Sequence, residues 1–233
     1  HLAGSTNPSR GLNYGALRLH RNCSIMSDDK IIRGDGNVSM EGSINAEQYD
    51  ALADDYDKVL EGWGYEAPAQ SAKMLSDNLQ HFAAAHILDC GCGTGLTGQA
   101  LRSEGARGAI VGADISKHSL ELAAAKNVYD ETVATDLNST LPFAADSFDG
   151  VLCAGVLSYV EAKPLFREWQ RVVRSGGVIV FTSREDLFVA RGYAKVLQDL
   201  EAHGGWKRLE LTEAMPYLPG HAEFAKVVGV VYG

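Results

Sequence analysis

The chain is poor in cysteine, in long apolar runs and in positive charge, and each shortage excludes a class of protein. Only four cysteines occur among 233 residues, and their spacing suits neither a disulfide framework nor a zinc or redox pair. No apolar run approaches the length of about 18 residues that a membrane-spanning helix needs. The formal net charge of −9 does not indicate the basic surface by which proteins usually bind nucleic acid. We therefore expect a cytoplasmic protein that binds neither a membrane nor nucleic acid.

Two regions of the chain differ in composition. The first 27 residues contain no aspartate or glutamate, and residues 1–43 are rich in glycine, serine and asparagine without a periodic apolar pattern. We predict that residues 1–43 are mostly disordered, because such a segment cannot bury enough apolar surface. Met26 resembles a natural start, which leaves open whether residues 1–27 belong to the mature protein. Residues 44–233 are predicted to form a single domain, since 45% hydrophobic residues suffice for one substantial core.

The most informative pattern lies at residues 87–95, which read Ile-Leu-Asp-Cys-Gly-Cys-Gly-Thr-Gly. A short apolar run ends in an acid, and three glycines follow at every second position. Such a run predicts a buried parallel strand that ends in a tight turn beside a ligand. A helical pattern follows from Leu96 to Arg102. Strand, glycine turn and helix together are typical of the first unit of a nucleotide-cofactor fold.

The charge beside this turn distinguishes between two cofactors. Gly93, Gly95 and Gly98 also satisfy the dinucleotide pattern G-x-G-x-x-G. A pyrophosphate, however, prefers bare N–H groups at a helix N-terminus, with no fixed anion beside them. Asp89 comes directly before the loop, and its carboxylate suits a cationic ligand such as S-adenosylmethionine (SAM), which carries an ammonium and a sulfonium. The pattern therefore favours SAM over NAD.

Two further acids follow at informative distances. Residues 109–114 form another apolar run, which ends in Asp114, 19 residues after Gly95. Rossmann-like folds place an acid that binds the ribose hydroxyls at about this distance. Ser116 has the position of an N-cap for a helix over residues 117–126. Residues 131–137 predict a third strand ending in an acid, Asp136. Three acids at one rim of a parallel sheet mark a ligand site more strongly than any one of them, which alone would usually be a turn or cap residue.

The segment Asp89-x-Gly91-x-Gly93-x-Gly95 closely resembles motif I of the class I SAM-dependent methyltransferases, and the resemblance extends over residues 45–233. It implies an α/β fold with a Rossmann-like sheet of seven strands in the order 3-2-1-4-5-7-6, the last strand antiparallel. It also implies two N-terminal helices, over residues 46–60 and 68–79, that cover the cofactor pocket. A doubled Tyr-Asp at residues 49–50 and 56–57 contributes to a narrower resemblance to the Williams–Beuren-region methyltransferase-like proteins.

The remaining elements are predicted from local patterns. They are a strand at 148–153, a helix at 163–173, a turn at 174–177, a strand at 178–182, a long helix that ends at Gly204, and two final strands at 206–215 and 224–232. The final pair is expected to form the closing antiparallel hairpin that separates this fold from an NAD-binding one.

The resemblance also implies which residues contact the cofactor. Asp136 would bind the adenine amino group, Leu137 would pack on the adenine ring, and Cys153 would leave room for the methionine moiety. Tyr56 of the doubled Tyr-Asp is the N-terminal candidate. The full predicted set is Tyr56, Asp89, Gly91, Cys92, Gly93, Thr94, Gly95, Asp114, Ile115, Asp136, Leu137 and Cys153.

By analogy with the family, the reaction is an in-line SN2 transfer of a methyl group from SAM to an acceptor that we expect to be a small molecule. Tyr159 and Arg184 are predicted to contact it. Each histidine stands alone and offers no clear general base, and no cluster of Asp, Glu and His predicts a metal. A non-catalytic SAM-binding regulator remains the alternative function, and the sequence indicates no oligomeric state.

Overall fold

The structure is a computed structural model, and it describes residues 24–27, 30–33, 57–58, 60–62, 64–203, 205–216 and 226–233. The described strands are β1 (Ser24–Ser27), β2 (Lys30–Arg33), β3 (Ile87–Cys90), β4 (Ile110–Asp114), β5 (Glu131–Ala134), β6 (Phe148–Cys153), β7 (Val173–Arg184), β8 (Arg208–Leu211), β9 (Met215–Pro216) and β10 (Lys226–Tyr232). The described helices are α1 (Ala67–Asn78), α2 (Leu96–Ser103), α3 (Lys117–Ala125), α4 (Ala162–Val172), α5 (Glu185–Ala190) and α6 (Tyr193–Ala202). Among these helices, none has the length and apolar character needed to cross a membrane.

The main sheet has the predicted topology. Its strands lie in the order β5-β4-β3-β6-β7-β10-β8, which is 3-2-1-4-5-7-6 when counted from β3. Strands β3 to β7 pair in parallel, whereas β10 is antiparallel to both β7 and β8. The short strand β9 also pairs with β10. The predicted fold class is therefore confirmed, including the closing antiparallel hairpin.

An aromatic cluster fills one face of the sheet. Helix α4 presents Phe166 and Trp169, both fully buried, to the sheet. Their ring centroids lie 5.2 Å and 5.7 Å from that of Phe181 on β7. Tyr232 of β10 stacks parallel to Phe181 and contacts Trp206, with centroids 5.0 Å apart in the second pair. These rings join the parallel strands to the antiparallel hairpin, which holds the sheet together across its change of direction.

Helix α1 packs on the face of the sheet opposite the aromatic cluster, and its cover of the cofactor pocket stays a prediction. Its buried Leu75 lies against β6, since a Cβ at Gly150 would be 3.2 Å from Leu75 Cδ1. Its Met74 lies against β10, since a Cβ at Gly229 would be 2.8 Å from Met74 Sδ. The apolar side of α1 is thus used to cover the strands. Of the predicted helix 46–60, residues 57–58 and 60 are described, and they are helical.

Three local predictions after β4 are also corrected. Strand β5 ends at Ala134, so Asp136 follows the strand by two residues. The predicted turn at 174–177 lies inside β7 as an irregularity, because Phe148 pairs with Val173 while Gly150 pairs with Val178. The predicted long helix is two helices, α5 and α6. They are separated at Gly192, whose φ of +63° is a conformation that favours glycine.

Within residues 1–43, the structure describes β1 and β2 alone. They form an antiparallel pair in which Ser24 lies opposite Arg33. The prediction of a mostly disordered segment did not include this strand pair. The other residues of the segment lie outside the described ranges, so their disorder stays a prediction, as does the domain boundary near residue 44.

Candidate functional site

The glycine loop after β3 is docked on the end of the neighbouring strand β4. The backbone N–H groups of Gly91 and Cys92 both donate to the carbonyl oxygen of Ala113, at 2.7 Å and 3.1 Å. The N–H of Gly93 donates to Asp114 Oδ2 at 2.9 Å. The first two predicted acids, Asp89 and Asp114, therefore lie at adjacent strand ends, with the loop between them. This arrangement confirms that parallel strand ends bring the two acids to one rim.

The glycines of the loop have different surroundings. All three adopt positive φ angles, +76° at Gly91, +50° at Gly93 and +100° at Gly95. A Cβ at Gly91 would overlap the side chain of Val156, whereas a Cβ at Gly93 would meet nothing within 4 Å. The space above Gly93 is therefore open, and Gly91 is enclosed by protein.

Asp114 is held by the backbone on both sides. Its Oδ2 accepts from Gly93, and its Oδ1 accepts from the Ser116 N–H at 2.9 Å. Ser116 caps α3 as predicted, because its Oγ accepts from the Ser119 N–H at 3.0 Å. Ile115, between the acid and the cap, is 41% exposed although its side chain is apolar. The carboxylate is thus fixed in place beside an apolar surface that faces solvent.

Asp89 is fully buried, and its two oxygens have different partners. Oδ2 accepts a hydrogen bond from the Tyr129 hydroxyl at 2.7 Å, whereas Oδ1 has no partner among the described residues. Burial raises the pKa of this carboxyl to about 7, the Tyr129 hydrogen bond opposes the rise, and the charge of Asp114 adds to it. A buried carboxylate oxygen without a donor lowers the stability of the protein. Buried carboxyl groups with a shifted pKa are common at ligand sites.

The glycine loop is also fastened to the end of the N-terminal helix. Lys126 Nζ lies 2.6 Å from Asp57 Oδ2, and Asp57 also accepts a hydrogen bond from the Thr94 hydroxyl. The carbonyl oxygen of Thr94 accepts from Lys126 Nζ, so the three residues form a closed network. Tyr56, the predicted cofactor contact beside Asp57, lies outside the described residues. The second Tyr-Asp pair therefore contacts the glycine loop through Asp57, which was not among the predicted site residues.

Four of the predicted contacts differ in their surroundings. The side chains of Cys92, Leu137 and Cys153 are buried. Burial raises the pKa of the Cys92 and Cys153 thiols well above the usual range, so neither is a reactive nucleophile. Leu137 belongs to the core cluster under the sheet. Asp136 lies at the rim, where its Oδ1 accepts from the Asn138 N–H at 2.9 Å in a tight turn.

The two predicted acceptor contacts come close to each other. Burial raises the pKa of the Tyr159 phenol, and the neighbouring Arg184 guanidinium opposes the rise, although Tyr159 as a residue is 39% exposed. Arg184 also pairs with Asp186 at 2.7 Å. Arg191 holds the loop that carries Tyr159, donating to the carbonyl oxygens of Leu157 at 2.9 Å and of Ser158 at 3.0 Å.

Three residues of this site were not predicted from the sequence as site residues: Tyr129, Lys126 and Asp57. A signal for the first was present, since an isolated glycine inside a strand or helix marks a close approach by another group. Gly112 in β4 and Gly98 in α2 are such glycines, and both make room for the Tyr129 ring. Over the described residues, no group of three or more His, Cys, Asp or Glu side chains forms a metal site.

Comparison with known proteins identifies similar sequences. Residues 88–181 match a family described as a methyltransferase domain. The chain is 32% identical to methyltransferase-like protein 27 of Homo sapiens over 168 residues, which cover 69% of this chain and 67% of that protein. It is also 30% identical over 146 residues to a malonyl-[acyl-carrier protein] O-methyltransferase of Herminiimonas arsenicoxydans. That match covers 63% of this chain and spans 50% of the relative.

A solved structure shows the same fold. An S-adenosylmethionine-dependent methyltransferase from Mesorhizobium loti superposes with a TM-score of 0.55 at 21% sequence identity. The match covers 69% of this chain and 95% of that chain.

We expect Asp89→Asn to stabilise the ligand-free protein at pH 8. The folded pKa of about 7 lies above the ordinary aspartate value of 3.8, so the folded state binds more protons than the unfolded state between these two pH values. The free energy of unfolding of the parent protein therefore falls as the pH rises from 4 to 7. Asparagine does not titrate, so the Asp89→Asn variant does not lose this stability. At pH 8 its free energy of unfolding should exceed that of the parent protein by roughly 4 kcal/mol at most, at about 1.4 kcal/mol per pKa unit.

Denaturant unfolding at pH 5 and pH 8 measures this difference. Asp130→Asn is the matched control, because the Ile110 N–H bond holds the pKa of Asp130 below its usual range. That variant should lose stability at pH 8. An Asp89→Asn gain that is no larger at pH 8 than at pH 5 contradicts a buried, strained carboxylate.

Proposed function

This chain belongs to the class I SAM-dependent methyltransferases, and we propose that its acceptor is a small molecule and that its cofactor lies over the glycine loop. Family membership makes SAM the cofactor, and it makes the protein an enzyme that transfers methyl groups. The preference for SAM over NAD is thereby confirmed. The contact residues and the acceptor are the parts that we propose.

The residues of the loop fit the cofactor. The space above Gly93 is open, and Asp89, which precedes the loop on β3, carries a buried oxygen without a donor among the described residues. These two features together carry the proposal, because the same strand and loop provide room and negative charge. In this proposal Asp114 binds the ribose hydroxyls, and Ile115 offers an apolar surface for the adenine ring. The loop backbone from Gly91 to Gly95 would contact the methionine moiety of SAM.

For methyl transfer, the protein mainly has to align SAM with the acceptor. SAM supplies a methyl group on a sulfonium, which is already activated for transfer to a nucleophile. The protein contributes proximity and orientation, which can account for a large part of a barrier. Tyr159 and Arg184 are the proposed acceptor contacts, with Arg191 holding their loop. We assign no general base among the described residues.

A small-molecule acceptor is supported by charge. The net charge of −9 works against binding a polyanion such as RNA. We propose an acceptor that reaches the rim of the sheet beside Tyr159.

Methyl-labelled SAM added to fractionated cell extract tests the acceptor class. We expect label to appear in the low-molecular-weight fraction and to depend on added protein. Mass spectrometry of that fraction would then identify the product. Label confined to RNA or to protein would contradict the small-molecule proposal while leaving the enzyme class intact.

Gly93→Ala is expected to abolish SAM binding while leaving the protein folded. The new methyl group would enter the space proposed for the cofactor, and the strain of a positive φ would cost about 1–3 kcal/mol. Gly176→Ala is the matched control, because Gly176 also has a positive φ, +80°, with nothing within 4 Å of its Cβ position. Both variants should lose similar stability by thermal unfolding, and Gly93→Ala alone should lose binding by calorimetry. Normal SAM binding by folded Gly93→Ala would refute the proposal that the cofactor lies over the glycine loop.

Asp114→Ala should weaken SAM binding about 10- to 150-fold, because hydrogen bonds to a charged group contribute about 1.5–3 kcal/mol. Asp130→Ala is the control, since Asp130 also accepts a backbone N–H, from Ile110 at 2.8 Å, and lies before β5 at the other end of the sheet. Calorimetric dissociation constants for both variants provide the comparison. Equal affinity in folded Asp114→Ala and parent protein argues against a ribose contact.

A further inference from the structure

The ring of Tyr129 occupies a space that three glycines create. A Cβ at Gly98 of α2 would overlap the ring, and a Cβ at Gly112 of β4 would lie 3.1 Å from Tyr129 Cδ1. A Cβ at Gly95 of the loop would lie 3.3 Å from Tyr129 Cε2. The ring therefore fills the junction between the glycine loop, the first turns of α2 and the sheet. This also explains Gly98, whose place in a G-x-G-x-x-G pattern is needed for a tyrosine rather than for a dinucleotide.

The hydroxyl of Tyr129 joins two groups that would otherwise lack partners. It donates to Asp89 Oδ2 at 2.7 Å and accepts from the Gly98 N–H at 3.0 Å. Gly98 is the third residue of α2, so its N–H has no acceptor within the helix. One phenol thus connects a buried acid to a helix N-terminus.

The surroundings of Asp89 hold acids and neutral groups. Among the described residues, the side chains that shift its pKa are Tyr129 and Asp114, and neither is a cation. The thiols of Cys90, Cys92 and Cys153 are the other titratable groups that feel its charge. With Oδ2 satisfied by the phenol, Oδ1 is the oxygen of Asp89 that has no donor among the described residues.

We propose that Tyr129 is a positioning residue of the cofactor site, which holds Asp89 and the first turn of α2 so that the carboxylate receives the ammonium of the methionine end. This inference depends on the cofactor site proposed above. It assigns to Tyr129 an action through Asp89, without contact between the phenol and the cofactor. The phenol also helps keep the acid ionised, because its hydrogen bond favours the charged form.

Tyr129→Phe tests the proposal, since it keeps the ring among the three glycines and removes the hydroxyl alone. The probes are S-adenosylhomocysteine, which has the ammonium, and 5′-methylthioadenosine, which lacks the whole amino-acid end. By calorimetry at pH 7.5, S-adenosylhomocysteine should bind at least about 10-fold more weakly to the variant, the loss of one hydrogen bond to a charged group. The affinity for methylthioadenosine should change less than about 3-fold. Tyr232→Phe is the matched control, because Tyr232 is also buried and donates to a carboxylate, Glu201 Oε1, at 3.0 Å.

The pH profile separates positioning from simple packing. In the parent protein, the affinity for S-adenosylhomocysteine should rise from pH 6 to pH 8 as Asp89, with a pKa of about 7, becomes ionised. Without the phenol, the pKa of Asp89 rises further, so this increase should move to higher pH in Tyr129→Phe. An equal loss for both ligands with an unmoved profile, or no loss for either, would overturn the proposal.

A coupling measurement keeps the test decisive if Tyr129→Phe alone fails to fold. Asp89→Asn and the double variant Tyr129→Phe/Asp89→Asn both lack the buried charge, so the phenylalanine no longer leaves a carboxylate unpaired. If Tyr129 acts through Asp89, these two variants should bind S-adenosylhomocysteine within about 3-fold of each other. A larger additional loss in the double variant contradicts the proposal. Failure of the parent protein to bind S-adenosylhomocysteine would instead refute the proposed site.

Discussion

The buried carboxylate of Asp89 at the end of the central strand is the constraint on which the site depends. It precedes a loop whose Gly93 has open space at its Cβ position, and among the described residues it receives a hydrogen bond at one oxygen alone. A neutral residue there would suit the core better, since burial opposes its charge. In the proposed site this cost is offset when the ammonium of SAM binds, whereas a pyrophosphate carries no such cation.

The rest of the fold compensates for this unfavourable charge. Asp89 is flanked on β3 by Cys90, whose sulfur accepts a hydrogen bond from Trp169 Nε1 at 3.3 Å. Trp169 belongs to the aromatic cluster that joins α4, β7 and the closing hairpin. The apolar surface buried by these large rings stabilises the sheet. A rigid sheet in turn keeps adjacent strand ends, and the acids on them, in register.

The network of Asp57, Thr94 and Lys126 gives the loop a second attachment, from the N-terminal side. Its ion pair is partly exposed and spans distant parts of the chain. Partly exposed ion pairs contribute little stability, so this contact can open at low cost compared with the core. The sheet therefore provides the fixed side of the site, and the ion pair of Asp57 provides a weaker attachment.

The sequence by itself determined the strands and the position of the glycine loop, because apolar runs, acids at strand ends and glycine spacing are local signals. The strand order followed from the resemblance to the methyltransferase family. It also placed Asp89 and Asp114 at one rim, since parallel strands end together. Only the tertiary structure decided that the Cys153 and Leu137 side chains lie in the core and that α1 covers the sheet. It alone brought Tyr129 to Asp89, 40 residues apart in sequence. Contacts of that kind depend on how helices pack on strands, and no periodicity within one segment records which distant side chain fills the space beside a glycine.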